Sequence, residues 1–172
     1  MDLLTIAPVD TDQISILQEI SISTFRDSFA RFNTEANMTH YMSRAFSQEK
    51  LLEEILNPNS TFYFAHLEDQ PGGYMKLNTG LAQSDLSDQN ALEVERIYIG
   101  AGFQGNGFGS QLMHFAMDKA KQLNKDFIWL GVWEHNTKAI SFYEKIGFYQ
   151  FDSHPFMLGD DRQIDLLYRL DI

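Results

Sequence analysis

Apolar residues recur along the chain with two periods, and each change of period marks a new element. Residues 5–9 predict a short strand, after which Thr11 or Asp12 caps a helix whose apolar positions Ile14, Leu17, Ile20, Ile22, Phe25 and Phe29 follow roughly helical spacing. Residues 38–46 and 47–56 read as two further helical pieces. The second has Ser47 as N-cap, Leu51, Leu52, Ile55 and Leu56 on one face, and a stop at Asn57-Pro58. The period then shortens. Residues 61–67 are aromatic-rich and, with a turn over 69–73 and a second run at 74–78, predict a hairpin. Residues 79–90 are polar and predict a loop, and 92–99 are rich in β-branched and aromatic residues, which predicts a strand.

The stripe Leu112, Phe115, Ala116, Ala120 and Leu123 predicts a helix from about residue 109 to about 124. Residues 127–132 predict a buried strand, and 137–146 a helix capped by Asn136 and stopped by Gly147. Two strands, 149–157 and 163–170, close the chain around a turn at 158–161. Strand, helices, meander and then β-α-β-α-β-β together predict an α/β layer fold with a mixed sheet.

At 172 residues, 44% hydrophobic and 22% charged, the chain has a globular composition, and nothing in it marks a boundary, so residues 1–172 are expected to form a single domain. It has no cysteine, which excludes a disulfide framework, a thiolate zinc site and a sulfur nucleophile. A formal charge of −11 argues against a nucleic-acid surface and would suit a cationic partner, although it also serves solubility. The first thirty residues lack a basic stretch leading into an apolar one, and the apolar run 127–133 is far shorter than the ~20 residues of a membrane span. A cytoplasmic protein with no membrane partner is expected. His40, His66, His114, His135 and His154 show no metal-binding spacing and read as surface or packed residues.

Five of the eleven glycines fall between Gly100 and Gly109, after a strand and before a helix. Glycines at such a junction expose backbone N–H groups at the positive end of the helix dipole and let a phosphate approach closely, although a tight turn alone also uses glycine. A P-loop would need Gly-Lys-Ser/Thr at its end, and here Gly109 is flanked by Phe108 and Ser110. A dinucleotide fingerprint accommodates Gly105 and Gly107 but finds Ser110 at its third glycine, and leaves the first ninety residues unexplained.

Gln104-Gly105-Asn106-Gly107-Phe108-Gly109 resembles the Gln/Arg-x-x-Gly-x-Gly/Ala loop of the GCN5-related N-acetyltransferases (GNAT), and residues 136–148, NTKAISFYEKIGF, resemble their second signature. More closely, LEVERIYI at 92–99, WLGVWE at 129–134 and the region 25–29 resemble PaiA-type spermidine/spermine N-acetyltransferases. Ala101 stands where that superfamily often has proline. The resemblance implies a mixed, largely antiparallel sheet of about seven strands, with helices on both faces and a split between the fourth and fifth strands. It implies acetyl-CoA in that split, with the pyrophosphate on the amides of Gln104, Gly105, Asn106, Gly107, Phe108, Gly109 and Ser110. Backbone groups of Ile97, Tyr98 and Ile99 would pair with the pantetheine arm, and Asn136 and Lys145 would lie near the cofactor. Gly131 fits a close backbone approach, or a bulge.

Direct acetyl transfer to an amine needs a base for the amine and an acid for the departing thiolate. Tyr143 is the candidate acid, although its helical spacing with Ile140 and Ile146 also fits a core position. Glu93 and Glu95 lie two apart on one strand and share a face unless a bulge intervenes, which makes them candidate bases or an ion pair with Arg96. Asp85 and Asp88 could hold distal ammonium groups, and Lys138 or Lys145 a CoA phosphate. The acceptor expected is a small cationic amine, most simply a polyamine. A protein N-terminus, a lysine or an amino sugar is the second reading, and a non-catalytic CoA sensor the third. A homodimer through the C-terminal strands is open.

Overall fold

The computed structural model describes residues 4–172. Strand β1 (Thr5–Pro8) is followed by helices α1 (Ile14–Phe29), α2 (Glu35–Ala45) and α3 (Gln48–Leu56). Strands β2 (Ser60–Leu67), β3 (Gln70–Asn78) and β4 (Ala91–Ile99) form the meander. Helix α4 (Phe108–Gln122), β5 (Phe127–Trp133), α5 (Thr137–Ile146), β6 (Tyr149–Leu158) and β7 (Asp161–Asp171) complete the chain. The sheet runs β1-β2-β3-β4-β5-β7-β6, antiparallel throughout except for the parallel pair β4–β5. A single parallel pair is not the sheet of a dinucleotide fold, whose strands run parallel throughout the βαβ units.

Several boundaries depart from the sequence pattern for local reasons. Asp10, not Thr11 or Asp12, occupies the first N-cap, ahead of a short 3₁₀ turn, Thr11–Gln13. Helix α2 starts three residues before the apolar pattern does, because Thr34 caps it by accepting from the Asn37 N–H at 3.2 Å. The β2–β3 turn is only Glu68 and Asp69, and Pro71, Gly72 and Gly73 belong to β3. Gly73 is tied to its place, since a Cβ there would lie 2.5 Å from the Tyr98 carbonyl oxygen. The loop 79–90 contains a 3₁₀ turn, Gly80–Ala82, and the last turn narrows to Gly159 and Asp160.

The largest core cluster lies between the sheet and helices α4 and α5, around Leu92, Leu112, Met113, Ile128 and Leu130. Helices α1 and α3 cover the other face over Leu17, Leu51, Phe62, Phe64 and Tyr74, while Phe25, Met38, Met42, Phe46 and Leu158 join α1 and α2 to β6. Each face of the sheet thus buries its own apolar set.

Candidate active site

Strands β4 and β5 pair only from Ala91↔Phe127 to Glu93↔Trp129, whereas β3 stays paired to β4 up to Ile99 and β7 to β5 up to Trp133. Beyond Glu93 the two central strands diverge, so their facing backbone groups are open to a ligand. The β5–β7 register runs without a shift, so Gly131 is not a bulge; it is an exposed glycine that lines the opening. Two connected cavities occupy the split. One of about 500 Å³ lies over the glycine loop, and one of about 710 Å³ lies under α1 and α2. They share Ser28, Ile97, Ile99, Gln104, Asn136, Ala139 and Tyr143.

The smaller cavity begins where β4 turns into α4. Gly105 and Gly107 have φ of 84° and 78°, left-handed values at which a side chain is strained, and Gly107 is the N-cap of α4. The first intrahelical bond runs from the Gln111 N–H to the Gly107 carbonyl at 3.1 Å, which leaves the N–H groups of Phe108, Gly109 and Ser110 without helical acceptors. Gly105, Gly107, Phe108, Gly109 and Ser110 all line the cavity. Its cationic lining is Arg31 and Lys138. Lys145 is exposed and stands outside both cavities, as does Asn106, so these two expected contacts are not brought to the cleft. Gln104 lines both, and its amide donates to the Ile99 carbonyl at 3.1 Å, fixing the end of β4.

Tyr143 sits where the cavities meet. Asn136 caps α5 by accepting from the Ala139 N–H at 3.3 Å, and the ring of Tyr143 is wedged against Phe142 and Phe148 with only 8% of the residue exposed. Burial pushes its hydroxyl up to about 12. Core packing and a cleft position are therefore both realised in this one side chain.

The larger cavity has an aromatic wall and an acidic floor. The wall is Phe25, Phe29, Tyr41, Phe46 and Phe156, with Phe25 and Tyr41 stacked at 4.7 Å and Tyr41 edge-on to Phe156 at 5.8 Å. On the floor, a bulge does intervene between the two glutamates: the register jumps from Lys76↔Arg96 to Leu77↔Val94, leaving Glu95 without a partner residue. Both carboxylates still converge on Asn78, whose Nδ2 donates to Glu93 at 2.9 Å and to Glu95 at 2.6 Å while its Oδ1 accepts from Ser60 at 2.8 Å.

Their environments differ. Glu93 is 2% exposed and accepts from the Ser84 N–H at 2.9 Å and from the Ser84 hydroxyl. Burial raises its carboxyl above the usual range, against the Ser84 and Asn78 hydrogen bonds. Glu95 is also desolvated, but the Arg96 and Lys76 charges outweigh burial and bring its carboxyl below that range. It belongs to a closed ring of alternating charge, with Lys76 2.5 Å from Glu95 and 3.2 Å from Glu54, and Arg96 3.1 Å from Glu54 and 3.4 Å from Glu95. The ion pair with Arg96 is thus part of a larger network that the sequence pattern did not display.

The loop between β3 and β4 is fastened over this floor by Gln83, which accepts from the buried Trp129 indole at 2.7 Å and donates to the Asp88 carbonyl at 2.8 Å. That anchor aims Ser84 and Asp85 into the cavity. Asp88 lies outside it, its carboxylate accepting instead from the Asn90 N–H at 2.8 Å. His154, expected at the surface or in packing, lines the cavity together with Asp165.

The split sheet, the glycine-capped helix and the cavity between them agree with the comparisons with known proteins. The pattern of the Acetyltransferase (GNAT) family matches residues 22–148. The chain belongs to the GNAT acetyltransferase family. An uncharacterized N-acetyltransferase from Lactobacillus delbrueckii subsp. lactis is 43% identical over 150 residues, covering 87% of each protein. Among solved structures, PaiA N-acetyltransferase from Thermoplasma acidophilum in complex with coenzyme A has a TM-score of 0.82 at 21% identity, over 99% of both chains. The ribosomal-protein-S18-alanine N-acetyltransferase of Escherichia coli has a TM-score of 0.73 at 16% identity, over 99% of this chain and 94% of that one. These last two show the shared fold. As a GNAT enzyme the protein uses acetyl-CoA as co-substrate, and the free amides at the start of α4 fit its phosphates. No helix among the described residues is long and apolar enough to cross a membrane.

Proposed function

We propose that this GNAT enzyme transfers acetyl directly from acetyl-CoA to a primary amine of an alkyl polyamine such as spermidine or spermine. The observation that carries the reading is the make-up of the larger cavity, where aromatic rings face carboxylates. Methylene segments bury against rings, and ammonium groups need anions, so a chain that alternates the two matches both surfaces.

The roles follow from the two carboxyl environments. Glu95 is already paired within its ring, whereas Glu93 has hydrogen bonds but no cation. An ammonium with pKa ~10 must lose a proton before attack, and Glu93 accepts it, directly or through water. The amine nitrogen then attacks the thioester carbonyl, and the oxyanion is stabilised by backbone N–H groups of residues 97–99 on the open side of β4. Collapse breaks the carbon–sulfur bond, the thiolate takes a proton from the Tyr143 hydroxyl, which burial keeps protonated at neutral pH, and the proton that the nitrogen sheds as the amide forms restores the phenol. The phosphates rest on the free amides of Phe108, Gly109 and Ser110 at the start of α4, with Arg31 and Lys138 nearby.

A thiol-release assay with acetyl-CoA tests this across spermidine, spermine, short diamines, aminoglycosides and peptides, beside calorimetric CoA binding. Turnover of spermidine or spermine with inert peptides is the expected result. Turnover of peptides or amino sugars alone would sink the polyamine reading, and CoA binding without any turnover would favour a sensor.

A further inference from the structure

His154 projects from β6 into the larger cavity between two carboxylates from different elements. Its Nδ1 lies 2.8 Å from Asp85 in the loop before β4, off the line of a proper hydrogen bond, and its Nε2 lies 3.9 Å from Asp165 on β7. The Asp165 carboxylate has no other ion-pair partner among the described residues, and its Oδ2 would lie only 3.6 Å from a Cβ at Gly131, beside the opening of the sheet. Ser84, the residue that holds Glu93, is the chain neighbour of Asp85. The cluster therefore adjoins the group proposed to accept the reacting amine's proton, and the aromatic wall, with Phe156 two residues along β6 from His154, lines the same cavity.

The geometry points to Asp85 and Asp165, on either side of His154, as the receptor for a second cationic group of the acceptor. The inference rests on the amine-acetyltransferase reading of this cavity and adds what selects the acceptor. An ammonium seated there is held from two elements, by Asp85 in the loop before β4 and by Asp165 on β7, while the methylene segment that carries it packs against the aromatic wall of the same cavity.

The test compares pentylamine with cadaverine, which differ only by the second amine, at saturating acetyl-CoA. Wild type is expected to favour cadaverine in kcat/KM. Asp165→Asn should lower the cadaverine value about tenfold through KM while leaving pentylamine within about twofold. Calorimetric CoA affinity and the melting temperature should stay at wild-type values in the variant, showing that it is folded. Equal use of the two amines by wild type, or an equal loss for both in Asp165→Asn, would overturn the inference and leave amine acetylation standing. Failure of wild type to acetylate any amine would overturn the reading of the cavity, and the inference with it.

Discussion

The carboxylate of Glu95 lies 2.5 Å from the ammonium of Lys76, a residue only 4% exposed, and Glu54 reaches the same ammonium from helix α3 at 3.2 Å. With Arg96 completing the ring, the acidic floor of the cavity is bolted to helix α3. Removing one member leaves a buried charge unpaired. Lys76→Met or Glu54→Gln should therefore lower the unfolding free energy by about 3–5 kcal/mol, read from urea denaturation.

The same ring has a pH signature. Glu95 is held below the usual carboxylate range because the Arg96 and Lys76 charges outweigh its desolvation. A depressed carboxyl stabilises the fold above its unfolded value of ~4.3 and loses that contribution as the pH falls through the folded value. Glu93, raised by burial, works in the opposite sense, so wild type must be compared with Glu95→Gln. The difference in melting temperature between the two should shrink steadily as the pH is lowered below ~4.3.

Glu93→Gln should reduce kcat/KM by about 10²–10⁴-fold. Because burial raises this carboxyl, the acid limb of the wild-type profile should lie above the ordinary glutamate value of ~4.3, and activity should fall as the pH drops through it. A profile still flat at ~4.3 would exclude Glu93 as the base.

Tyr143→Phe should cost a similar factor in kcat, about 10²-fold or more, with CoA affinity within about twofold of wild type. A phenol pushed up to about 12 remains a proton donor across the usual assay range, so wild type should show no loss of rate from Tyr143 ionisation below about pH 10. Pre-steady-state rates with a thiol probe would check both statements.

At Gly107, φ of 78° at the N-cap of α4 makes any side chain strained. Gly107→Ala should destabilise by about 1 kcal/mol and also weaken CoA binding, because a methyl group would stand where the phosphates approach. Calorimetry and thermal melts on the same variant separate the two effects.

The elements that could be read from the chain are those governed by local rules. Helix α5 begins at Asn136 and ends at Gly147, as capping chemistry requires, and the glycine loop falls where a strand meets a helix. The floor of the cavity could not be read that way. Glu54, Lys76, Asn78 and Arg96 come from three elements, and only the pairing of β3 with β4 and the docking of α3 bring them together. A lone lysine among Tyr74, Met75 and Leu77 on a buried strand was the one available sign, since such a charge needs a partner. His154 and Asp165 carried no sign, because they face each other across β6 and β7 only once that register exists.

The parting of β4 from β5 leaves two raw strand edges facing each other inside the molecule, beyond the reach of another chain. A linear co-substrate with amides along its arm is a suitable mate for them, which gives CoA an architectural part beside its part as a reactant. Amide hydrogens that point into the gap should exchange quickly in the free protein and slowly once CoA is bound. The melting temperature should climb with the logarithm of ligand concentration, since whatever binds only the native state stabilises it by RT ln(1 + [L]/Kd). The enzyme without CoA would then be measurably softer than its complex.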